Sequence, residues 1–191
     1  MTLKFKIGNT IISENHPTYF IADIAANHDG NLNKAKELIY LSAQAGANAA
    51  KFQHFNASTI VSDKGFRDLG NKFSHQKKWK KSVFEVYKDA SINLEWTEEL
   101  KKTCKKAGID FFSSPYAFDM VDHLNPYVPA YKIGSGDITW LEIIKYISKK
   151  NKPVILASGA SKLLDVQKAI NTIKKYNKKI VLMQCNTNYT A

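Results

Sequence analysis

Arginine is almost missing from this chain: Arg67 is the only one in 191 residues, against a formal net charge of +11. Base readout and bidentate phosphate clamping lean on arginine, so a lysine-only excess argues against a nucleic-acid interface. Cysteine is scarce too. Cys104 and Cys185 share no recognisable spacing, which excludes a disulfide scaffold and leaves free thiols in a reducing compartment as the expectation. No apolar run approaches the ~20 residues of a membrane-spanning helix. Met1-Thr2-Leu3-Lys4-Phe5-Lys6 lacks the apolar stretch and small-residue cleavage site of a secretory signal. A cytoplasmic protein with neither nucleic-acid nor membrane partners is expected.

What is present reads as one globular core, with 44% hydrophobic residues. The lysines gather at 101, 102, 105 and 106, at 149, 150 and 152, and at 174, 175, 178 and 179. Those are predicted helix ends, where cations complement the helix dipole, so a solvated outer face is expected. Six short apolar runs carry a strand signal, at residues 19–25, 49–55, 109–113, 130–133, 153–157 and 180–185. Between them lie helical periods. Leu32, Ala35, Leu38, Ile39, Ser42 and Ala45 form one helix face that Gly46 ends. A second helix follows Thr97 as its cap and stops at Gly108; residues 118–124, 140–149 and 161–176 read as three more.

Strand and helix alternating at this interval mean right-handed βαβ units and a parallel sheet. An open dinucleotide-binding sheet needs a glycine-rich turn after its first strand. Here that strand runs into Ala26-Asn27-His28-Asp29-Gly30, while all six strands end in polar residues. Barrel enzymes place their chemistry there. The expectation is an α/β protein of TIM (β/α)8-barrel type, cut short after about six strands, forming a single partial domain over residues 1–191. A β-hairpin turning at Gly8-Asn9 should plug its floor, and residues 56–81, without clear periodicity, read as a lid.

Alternation along the strands sorts the candidates. Asp23, Ala25 and Asn27 fall on one face of the first; Lys51 and Gln53 share one face of the second. A lysine buried at a strand end is costly unless an anion meets it, so Lys51 and Lys132 together imply a socket for a small phosphorylated or carboxylated ligand. Lys51 also fits a Schiff-base nucleophile if burial lowers its pKa. The hydroxyls of Ser113 and Ser114 can donate to phosphate, as can Ser135 between Gly134 and Gly136. Asp137 fits either a sugar contact or the cap of the next helix. Ala157-Ser158-Gly159-Ala160 offers free N–H groups to an anion. His28 and His54 both follow strands but sit in no ligand-spaced motif, so no metal site is assigned.

The runs FIADIAANHDG, KFQ, FFSSPY, AYKIGSGD, PVILASGA and MQCNTNY stand in the order found in the N-acetylneuraminate (sialic acid) synthase family, which the chain resembles over nearly its whole length. The resemblance implies an enzyme joining phosphoenolpyruvate to an N-acetylmannosamine-type sugar, giving a nine-carbon 2-keto acid and phosphate. It places Lys51, Gln53, Ser114, Lys132, Ser135, Ser158 and Thr187 around phosphoenolpyruvate, and Asp137 and Tyr189 on the sugar. Asp23 stands where the family has a catalytic glutamate, and Ala157 where relatives often carry a serine. The resemblance also implies a divalent metal, manganese or magnesium, with ligands outside this chain. A C-terminal antifreeze-like domain and a homodimer belong to the same implication, so the fragment alone is expected to be inactive. Two readings of other classes fit the same residues: a class I aldolase, and a non-catalytic anion- or RNA-binding domain.

Overall fold

The computed structural model describes residues 4–69 and 79–187. β1 (Phe5–Ile7) and β2 (Thr10–Ile12) pair as an antiparallel hairpin. Six further strands then run in chain order: β3 (Ile21–Ala25), β4 (Ala49–His54), β5 (Asp110–Pro115), β6 (Tyr131–Ile133), β7 (Val154–Ala157) and β8 (Ile180–Met183). They form two parallel sheets, β3-β4-β5 and β6-β7-β8, which abut where β5 meets β6. The parallel α/β order is the one expected. A closed barrel is not reached among the described residues.

Helices α1 (Leu32–Gln44), α2 (Ala57–Ile60), α3 (Asp63–Leu69), α4 (Val83–Ala90), α5 (Trp96–Ala107), α6 (Phe118–Leu124), α7 (Leu141–Ser148) and α8 (Leu163–Lys174) fill the connections. The strands' alternation divides the core. Phe52, Phe111, Tyr131, Val154 and Leu156 face the helices and pack with Ile39, Leu100, Ile144 and Ile173. Ala49, Phe112, Ala130 and Ile155 line the other face with Ile7 of the hairpin. Gly8, at φ +55, lets the hairpin turn lie on Asp110, because a Cβ there would stand 2.5 Å from that carboxylate. The hairpin therefore covers the N-terminal end of the strands and leaves the C-terminal end as the mouth.

Several local expectations need correction. Thr97 does not cap its helix: α5 starts at Trp96, and Thr97 is fully buried inside the first turn. Asp23, Ala25 and Asn27 do not share a face, because Ala25 at φ +51 breaks the β3–β4 register after Asp23. Asp137 lies in a 3-10 turn (Ser135–Asp137) and caps nothing; α7 begins after Trp140. Part of the aperiodic stretch after β4 folds as α2 and α3, with the Asn56 side chain accepting from Ser58 N–H; residues 70–78 lie outside the described residues. Lys152 is not a solvated helix-end lysine, since its ammonium donates to the carbonyls of Asn125 and Val128. No helix among the described residues is long and apolar enough to cross a membrane.

Candidate active site

Lys51 and Gln53 reach the mouth from one face of β4, in register opposite Phe112 and Ser114 of β5. Lys51 is only 7% exposed, and its ammonium lies 2.7 Å from Asp23 Oδ1 on β3. Ser114 is buried beside them. From β6, the Lys132 ammonium donates to its neighbour's carbonyl, Ile133 O, at 3.0 Å. Burial, and then the Lys51 charge, pull the Lys132 pKa down to about 8. The two ammonium groups are thus close enough to disfavour each other, and the Asp23 and Asp137 carboxylates partly offset that. That is the electrostatic condition for holding a small anion.

Ser135 and Thr187 meet over Gly159. A Cβ on that glycine would stand 2.5 Å from Ser135 Cβ and 3.0 Å from Thr187 Cγ2, and its φ of +55 also favours glycine. Ser158, next to it, is differently placed. Its hydroxyl donates to Gln184 Oε1 at 2.9 Å and its N–H to Met183 O at 2.9 Å. It has no donor left for an anion and ties β7 to the chain after β8 instead. Ala157 is buried at the strand end. Tyr189 lies outside the described residues.

On the other flank of Gln53 opens a cavity of about 480 Å³, lined by Phe55, Tyr87, Tyr116, Asp137 and Trp140. Gln53 Nε2 donates to Tyr116 Oη at 3.1 Å. Burial raises the Tyr116 pKa, and the Asp137 and Asp23 carboxylates raise it further. Burial lifts Asp137 to about 6, opposed by Lys132. Tyr116 is a site residue that the sequence reading misses; its position just past β5 is the signal that marks it. A second cavity, about 560 Å³, opens among Asn9, Asn48 and Asp110 at the strands' N-terminal end, away from these groups.

Behind the mouth, Ser113 faces the helices and not the ligand side. Its Oγ lies 2.7 Å from His54 Nδ1, and His54 Nε2 lies 3.0 Å from Thr97 Oγ1. Thr97 Oγ1 in turn meets His123 Nε2 at 2.9 Å and donates to Leu94 O. Both His54 nitrogens are therefore taken. A divalent cation does not fit the described residues: they hold no cluster of three His, Cys, Asp or Glu suited to one. At the mouth, Asp23 is engaged with Lys51, and two ammonium groups would oppose another cation.

Fold and site together define an α/β protein with parallel strands whose C-terminal ends gather Lys51 and Lys132 beside an aromatic-lined cavity. The chain belongs to the NeuB family, whose profile matches residues 38–191. An N,N'-diacetyllegionaminic acid synthase from Campylobacter jejuni is 36% identical over 181 residues, 91% of this chain and 53% of its own length. A pseudaminic acid synthase from Helicobacter pylori is 32% identical over 182 residues, 92% of this chain and 52% of that one. Among solved structures, a sialic acid synthetase from Leptospira borgpetersenii superposes with a TM-score of 0.86 at 26% identity, covering 100% of this chain and 62% of that one. The chain spans about half the length of the curated relatives it matches. A 3-deoxy-D-arabino-heptulosonate 7-phosphate synthase from Thermotoga maritima, at 15% identity and a TM-score of 0.63, shares the fold.

Proposed function

We propose that this chain carries the phosphoenolpyruvate half of a nonulosonic acid synthase site on a (β/α) barrel completed by residues outside it. The observation that supports this best is the convergence of Lys51 and Lys132 at one mouth, ringed by Gln53, Ser114, Ser135 and Thr187. Phosphoenolpyruvate carries a phosphate and a carboxylate, and two ammonium groups match that pair. The amino sugar then lies toward Asp137 and the aromatic cavity, with Tyr189 as the remaining sugar contact.

In the proposed reaction C3 of phosphoenolpyruvate attacks the aldehyde carbon of the open-chain sugar, forming the new C–C bond. The C=O π pair moves onto the aldehyde oxygen, which takes a proton from solvent and becomes a hydroxyl. Cationic charge develops at C2, and water adds there. The resulting phosphorylated hemiketal breaks its C–O bond, leaving a 2-keto acid and phosphate. Lys51 and Lys132 orient the dianion and hold its charge, and the hydroxyls fix its rotation. Asp23, mostly exposed and paired to Lys51, takes up the proton of the attacking water.

Mass spectrometry of the products tests the reading, with the protein at its full natural length, phosphoenolpyruvate, manganese or magnesium, and a panel of N-acetylated amino sugars. A nine-carbon 2-keto acid appearing with equimolar phosphate is the expected result; no sugar-dependent phosphate release would overturn it. One observation favours a second reading: a lysine with its pKa lowered to about 8, as at Lys132, suits imine chemistry. Borohydride added with substrate would then leave a covalent lysine adduct, which the favoured reaction does not produce.

A further inference from the structure

Gln53 stands between the two halves of the site. On β4 it shares the face of Lys51, opposite Ser114 of β5, and it also lines the aromatic cavity with Tyr116. An amide in such a place is ambiguous. Turned over about its last bond, it exchanges an acceptor for a donor at nearly the same position. A ligand needs one of the two, so a neighbouring group has to choose.

Tyr116 has the geometry to do so. Its N–H donates to His54 O at 3.1 Å, which carries the β4–β5 pairing one step past the strand end and holds the backbone beside Gln53. Its ring meets Phe55 edge-on at 6.0 Å, and Phe55 packs in turn on Tyr87 at 5.7 Å. Gln53 Nε2 can only donate, so Tyr116 Oη accepts that bond at 3.1 Å and its own proton must point elsewhere. Asp137 decides where. Its Oδ2 and Tyr116 Oη stand 3.3 and 3.5 Å from where a Cβ on Gly134 would be. The φ of −67 at Gly134 is open to any residue, so glycine there serves to give these two oxygens room. Burial lifts Asp137 only to about 6, so it is ionised at neutral pH and draws the hydroxyl proton to its side. The lone pair is left for Gln53. Among the described residues the Gln53 amide has no second partner, so its carbonyl oxygen and other N–H remain for a ligand.

We propose that Tyr116 is a positioning residue, whose hydroxyl sets which end of the Gln53 amide meets the substrate. This rests on the synthase reading above and adds to it a residue that touches no reacting atom. Its loss is felt in binding and not in chemistry, because an amide released from Tyr116 spends part of its time with the wrong end forward.

A double-mutant cycle tests this with the protein at its full natural length, phosphoenolpyruvate, divalent metal and the panel of N-acetylated amino sugars. Tyr116→Phe keeps the ring against Phe55 and removes only the hydroxyl. It should raise the KM of one substrate about 3- to 10-fold, the range of one ordinary hydrogen bond, with kcat held within about twofold. In a Gln53→Ala chain the same substitution should change nothing further, since no amide is left to orient. Effects that multiply, an unchanged KM, or a fall in kcat alone would each overturn the inference. A second readout needs no turnover. The side-chain amide protons of Gln53, assigned by their loss in Gln53→Ala, should exchange with solvent severalfold more slowly than those of the exposed Gln44 and Gln167, and faster in Tyr116→Phe. Exchange as fast as at Gln44 in the unaltered protein overturns the inference even where Tyr116→Phe fails to fold. A protected Gln53 amide with no turnover on any sugar overturns the synthase reading alone.

Discussion

Asp23 Oδ1 and Lys51 Nζ stand 2.7 Å apart across the first two parallel strands, the acid mostly exposed and the lysine almost wholly buried. The lysine is thus held by a partner that an arriving dianion can displace into solvent. Asp23→Asn keeps the shape and removes that competition. Phosphoenolpyruvate should bind at least as well, while turnover falls about 100-fold if Asp23 moves the proton. Lys51→Ala does the reverse to the ligand: losing a charged hydrogen bond should raise its KM about 10- to 100-fold. Steady-state kinetics on both variants separates the roles, and unchanged turnover in Asp23→Asn would remove Asp23 from the mechanism.

Lys132 sets a pH limit on anion binding. Its folded pKa is lowered to about 8, so the ammonium that attracts the ligand is present below that pH and lost above it. Affinity for phosphoenolpyruvate should be flat below about pH 8 and fall as pH rises through it. In Lys51→Met the like charge is gone, so the break should move to higher pH even though binding is weaker overall. Calorimetric titrations from pH 7 to 10 would show it. A break that stays in place would mean burial alone sets the Lys132 pKa.

Gly159 carries the positions of Ser135 and Thr187, and a Cβ there has no room. Gly159→Ala should cost about 1–3 kcal/mol from the positive φ alone and push the Ser135 side chain aside. Gly136, with nothing within 4 Å and no positive φ, is the contrast: Gly136→Ala should change stability by no more than about 1 kcal/mol. Urea unfolding of the two variants tests the difference.

The sequence made the strand order and the mouth readable because β-alternation ties one face to one chemistry. Lys51 and Gln53 point the same way as Ala49, so their convergence with Lys132 followed from the runs themselves. The break after Asp23 was not readable, since a positive φ at an alanine has no compositional signal. Thr97 was misread for a related reason. A threonine ahead of two glutamates has the signature of a cap, but here its hydroxyl is engaged by Leu94 O and by the tertiary partners His54 and His123. Tyr116 is not legible because its place at the mouth depends on a hydrogen bond with Gln53, 63 residues away.

His54 gives the fold its own acid sensitivity. Its ring is fully buried, bonded to Ser113 and Thr97, and burial, then the nearby His123 and His28, hold its pKa down at about 3. A folded-state pKa below the unfolded value of 6.5 means the unfolded chain binds the proton first. Stability should therefore be complete above about pH 6.5 and decline as pH falls toward 3. At pH 5 the expected loss from this one group is about 2 kcal/mol. His54→Gln keeps a donor and an acceptor but cannot titrate, so it should flatten that slope whatever it costs at neutral pH. Because Ser113 adjoins Ser114, the same acid step should loosen the β5 side of the mouth, seen as lost amide-exchange protection there before global unfolding. Parallel slopes for His54→Gln and the unaltered protein between pH 4 and 6.5 would place the acid sensitivity elsewhere.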